Sequence, residues 1–82
     1  MTAKEMFNDL GYELIENGER LTHYRKKLDN HDFLNVEFNS AGKFCHCTHM
    51  IVKPFDVVAL EVDVGLHKAI DKQIKELGWL NG

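Results

Sequence analysis

Asn17-Gly18, set between "YELIE" and "ERLTHYRKKL", constrains this chain more than any other residue pair. The dipeptide is the strongest short-range hairpin signal, because both residues tolerate the positive φ of a type I′ turn. A two-residue loop there pairs Leu14 with Leu21 and Tyr12 with His23, and turns Ile15 and Tyr24 to the opposite face. Apolar side chains then fall on both faces, which specifies the register only weakly.

A second hairpin is expected in "FLNVEFNSAGKFCHCTHMIV". Leu34, Val36 and Phe38 alternate with Asn35 and Glu37, the period of a half-buried strand. A type I turn with Gly42 in the left-handed position makes "NSAG" a three-residue loop with a bulge. Phe38 then pairs with Phe44 and Val36 with His46, and Cys45, Cys47 and His49 join Asn35 and Glu37 on the face away from Phe38. A two- or four-residue loop instead sets the cysteines beside Val36 and Phe38. The three-residue loop is favoured, since Ala41 is a poor first residue for a type I′ turn. Beyond Pro54, Val58, Leu60 and Val62 suggest one further short strand.

Helical signals bracket the strands. Thr2 and Glu5 have capping-box spacing, Met6, Phe7 and Leu10 form a stripe, and Gly11 stands where the helix should end. Two turns are not stable alone and must pack on something. In "DVGLHKAIDKQIKELGW", Leu66, Ala69, Ile70, Gln73, Ile74 and Leu77 share one side, Asp63 is the N-cap and Gly78 closes the helix. Trp79 and Leu80 are expected to fold back as an apolar plug. The order α-β-β-β-β-(β)-α predicts one α+β domain over residues 1–82: an antiparallel sheet of four or five strands with two helices on one face. The other face is left for water or a partner.

Both ends of the chain resemble a family of small uncharacterised proteins from Gram-positive bacteria and their phages. "MFNDLGYELIEN" matches the family's opening around "LGYE", and "KAIDKQIKELGWL" matches its closing "AI..QI.ELGW". The "CHCTH" stretch lies outside that pattern. The resemblance implies no activity and transfers no site residue.

Composition narrows the function. A net charge of −3 gives no field that would recruit nucleic acid or an anionic membrane, and 44% hydrophobic with 28% charged residues suits an ordered globular domain. "MTAKEMFNDLGYE" is too polar for a signal peptide, so the cytoplasm and reduced thiols are expected. Cys45, Cys47 and His49 are the candidate metal ligands. A straight strand separates alternate side chains by about 6.5–7 Å, whereas two thiolates on one tetrahedral zinc stand about 3.8 Å apart. No metal and no cofactor are therefore expected, and the cysteines read as free thiols. Arg25, Lys26, Lys27 and Lys43 could touch phosphate, but basic residues among acidic neighbours usually make a solvated face. Asp29, His31 and Asp32 fit turn hydrogen bonds, and His67 fits solvent. No catalytic motif is present.

The reading that remains is a non-enzymatic protein-interaction module, with a protein partner or a second copy (a homodimer) on the uncovered face. That surface is expected to include Phe33, Cys45, Cys47, His49 and Ile51, with Trp79 in the apolar segment after the second helix. The alternatives are a thiol or metal sensor built on Cys45, Cys47 and His49, and a nucleic-acid accessory protein.

Overall fold

The computed structural model describes residues 1–80. Within them the order is α1 (Ala3–Asp9), β1 (Glu13–Asn17), β2 (Leu21–Lys27), β3 (Asp32–Asn39), β4 (Phe44–Val52), β5 (Phe55–Ala59) and α2 (Val64–Glu76). The strands form one antiparallel sheet in the order β1-β2-β3-β4-β5, so each strand pairs with its neighbour in sequence. Both helices lie on one face. This is the α+β architecture that the alternation and the caps predict. No helix of the described residues is long and apolar enough to cross a membrane.

The helix ends follow from local chemistry. Thr2 Oγ1 accepts from the Glu5 N–H at 3.2 Å, and Glu5 Oε1 accepts from the Thr2 N–H at 2.8 Å, which completes the capping box. Asp63 Oδ1 likewise accepts from the Leu66 N–H at 2.8 Å at the start of α2. Gly11 (φ +92°) and Gly78 (φ +74°) supply the left-handed residue after each helix. Beyond them, the Tyr12 N–H reaches the Phe7 carbonyl and the Trp79 N–H reaches the Ile74 carbonyl. These are Schellman closures, and they bend Tyr12 and Trp79 back over the core. Leu80 stays exposed and is no part of a plug.

Aromatic rings carry the core. Phe7 stacks on Tyr24 with centroids 3.9 Å apart and meets Tyr12 and Phe38 edge-on. Val36, Leu66 and Ala69 fill around them. The buried line of α2 is Leu66, Ala69 and Gln73, whereas Ile70, Ile74 and Leu77 flank it half-buried. The Tyr24 hydroxyl donates to Gln73 Oε1 at 2.6 Å, so the polar residue in that line has a partner. The two helices also meet at their far ends, where the Ala3 N–H donates to Glu76 Oε2 at 2.7 Å.

Both hairpins depart from the registers expected of their turn residues. Leu14 pairs with Tyr24 and Asn17 with Thr22, with a bulge at Ile15. Neither Asn17 nor Gly18 has a positive φ, and the Gly18 N–H is held by the Leu21 carbonyl at 2.8 Å across a wider loop. The gain is burial: Leu14 and Tyr24 now share the core face, where the two-residue loop would have split them. In the second hairpin Asn39 pairs with Phe44, Phe38 with Cys45 and Val36 with Cys47 across a four-residue loop. Lys43 takes the left-handed position at φ +54° in place of Gly42. Gly42 serves a different need, since a β-carbon there would lie 2.6 Å from the Phe44 ring. The further strand begins directly after Pro54 and ends at Ala59, earlier than the spacing of Val58, Leu60 and Val62 suggests.

Candidate functional site

That four-residue loop reverses the face of the "CHCTH" side chains. Cys45, Cys47 and His49 stand opposite Phe38, Val36 and Leu34, on the helix-covered side. They do not lie on the uncovered face. Phe33 does, so the surface expected to join Phe33 with Cys45, Cys47 and His49 is split between two faces. Ile51 pairs with Asp32 and also falls on the helix side. Trp79 packs edge-on against Phe38 at 6.2 Å, as part of the core margin.

The two sulfurs lean together. Cys45 Sγ and Cys47 Sγ are 3.9 Å apart, within sulfur hydrogen-bonding distance, and both residues are half-buried. The spacing argument fixes the backbone but not the rotamers, and the rotamers close the gap. With Cys45 S–H as donor, the Cys47 thiolate is favoured and its pKa falls to about 7, against an opposing effect of burial. Cys45, holding that proton and partly desolvated, is raised well above the ordinary thiol range. His49 does not join them: its Nε2 lies 3.2 Å from Asp32 Oδ1. Asp29 does the turn work expected of it, accepting from the His31 and Asp32 N–H groups at 2.7 and 2.9 Å. Among the described residues, no three His, Cys, Asp or Glu side chains are grouped so as to hold a metal ion.

The uncovered face is polar at its centre. Asn35 is only 3% exposed there, because its Oδ1 is held by Arg25 Nε at 2.9 Å and by His23 Nε2 at 2.8 Å. The Arg25 guanidinium rests 5.3 Å above the Phe33 ring. Lys26 points to the helix side, over Tyr12, and Lys43 sits in the loop beyond the other end of β3. The four cations therefore make no common phosphate surface. A cleft of about 140 Å³ lies between Leu10, Tyr12, Lys26, Leu34, Leu60, Glu61, Asp63 and Leu66. Small-molecule sites usually enclose about 300–1,000 Å³.

The feature that pattern reading missed is the exposure of β5. Every residue of it is exposed, with Phe55 at 72%, Val57 at 47% and Val58 at 43%. Neither helix covers it. The Leu60 N–H reaches back to the Cys47 carbonyl, so alternation turns the N–H groups of Val58 and Asp56 toward β4 and those of Phe55, Val57 and Ala59 outward. Asp56 Oδ1 accepts from the outward Val57 N–H at 2.9 Å. The opposite edge, β1, is blunted by its bulge and by Glu13 and Glu16. The apolar alternation after Pro54 was the available signal, but it could not reveal that the sheet stops there. No family model, curated protein or solved structure matches the chain.

Proposed function

We propose that this chain is a small cytoplasmic protein-interaction module that catalyses no reaction and assembles through the β5 edge with a second copy of itself. The supporting observation is an apolar edge strand left open on both faces beside a complete core. Long exposed edges invite strand addition, and most soluble assemblies close by a two-fold axis.

The residues of β5 support one register. An antiparallel pair about an axis at Val57 sets Phe55 opposite Ala59 and Asp56 opposite Val58, so all five residues find partners. The outward N–H groups then meet outward carbonyls. Asp56 must release the Val57 N–H first, so it acts as a guard on the edge.

Sedimentation over a range of concentrations tests this. Wild type is expected to pass from monomer to dimer, and Val57→Lys to remain monomeric, because two like charges would face each other on the axis. Asp56→Ala should tighten it, because the Val57 N–H is then free to pair. A strict monomer at high concentration, or a dimer indifferent to residue 57, refutes the assignment.

A further inference from the structure

We propose that Cys45 and Cys47 form a two-thiolate clamp for a thiophilic monovalent ion of the Cu(I) class. The geometry carries it. Two metal–sulfur bonds of about 2.3 Å each let one ion reach both sulfurs when these stand within about 4.6 Å, and the two Sγ atoms stand 3.9 Å apart on one strand. A disulfide fits less well. It requires the sulfurs at about 2.05 Å and Cα atoms usually about 5.5–6 Å apart, whereas alternate strand residues are about 6.5–7 Å apart.

Donor count and donor type select the ion. Structural zinc takes four ligands, and no third His, Cys, Asp or Glu of the described residues joins the pair. His49 is held by Asp32. Two soft thiolates with apolar neighbours favour a soft ion satisfied by two ligands. Those neighbours are Val36 and Phe38, the register partners of Cys47 and Cys45. Both cysteines remain half-buried rather than enclosed, so an ion delivered from solution can reach them.

The proton balance is simple. Cys45–SH and Cys47–S⁻ take up M⁺, both sulfurs bind as thiolates, the Cys45 proton leaves to solvent, and the bound unit carries one negative charge. Tyr12 and Glu37 are the other titratable groups acting on the pair. Tyr12, pushed up to about 12 mainly by burial, stays neutral throughout. Binding releases protons, so affinity should fall as pH falls.

The test is an anaerobic titration of the reduced full chain with Cu(I) presented as its bicinchoninate complex. Wild type should withdraw one equivalent, develop near-ultraviolet thiolate-to-copper absorption, and protect both thiols from alkylation. Cys45→Ser and Cys47→Ser, checked for folding by circular dichroism, should each lose uptake. His49→Ala should keep it, and so should Val57→Lys, which separates this site from assembly through β5. Failure of wild type to withdraw copper, undiminished uptake by folded Cys47→Ser, or equal uptake of Zn(II) overturns the proposal.

Discussion

Phe7→Ala should lower the stability of the fold by about 3–5 kcal/mol, the range for emptying a buried aromatic site. Phe7 is wholly buried, and its ring is the shared neighbour of Tyr12, Tyr24 and Phe38. Removing it leaves a void between helix and sheet that rigid rings cannot collapse to fill. Domains are typically stable by only about 5–15 kcal/mol, so the loss would be a large share of the whole. Phe55→Ala deletes the same side chain from an exposed edge and should change stability by no more than about 0.5 kcal/mol. Urea unfolding of the two variants at low protein concentration decides it. Similar midpoints would mean that the aromatic cluster is not what holds α1 to the sheet.

The second large effect concerns the bond between Tyr24 and Gln73. Both residues are buried, and their hydrogen bond of 2.6 Å ties β2 to α2. Gln73→Leu should cost about 1–3 kcal/mol, because it strands the Tyr24 hydroxyl in an apolar core. Adding Tyr24→Phe should recover much of that loss, since no orphaned donor remains. A double-mutant cycle with additive effects would show that the bond is not formed. Titration supplies a further sign. Burial, with Glu76 adding, raises the Tyr24 pKa, and burial raises Tyr12 from 10 to about 12. Their contribution is fully present below pH about 10 and is lost as pH rises beyond it, for Tyr12 through about 12.

What the sequence disclosed was local. Thr2 with Glu5, Gly11, Asp63 and Gly78 act within a turn of their own position, and each stands where its spacing predicts. The alternation of Leu34, Val36 and Phe38 likewise settles which face of β3 is buried. Register was hidden because it depends on a few loop dihedrals that the rest of the fold can override. Burial of Leu14 with Tyr24 outweighed the preference of Asn17-Gly18 for a tight turn. Lys43, not Gly42, took the left-handed position, and that single step moved Cys45, Cys47 and His49 across the sheet. Pairings at long range had no local signal at all. Asp32 reads as a turn residue until β4 brings His49 beside it, and Gln73 reads as a break in an apolar stripe until Tyr24 arrives.

The hydrogen bond from Ala3 to Glu76 spans 73 residues of chain, and it bears on the order of folding. A meander can zip strand by strand, because each hairpin closes a short loop against a neighbour already in place. The first helix can lean early on Tyr12 and Tyr24, but it has no such neighbour in its own layer. Its partner on the same layer is made last, and joining them closes the longest loop in the molecule, the step with the largest entropic cost. A nascent chain would therefore carry its sheet half-roofed until residues 64–76 emerge, with Val36 and Phe38 open to other chains. Refolding should show early strand signal and late quenching of Trp79 as it settles on Phe38.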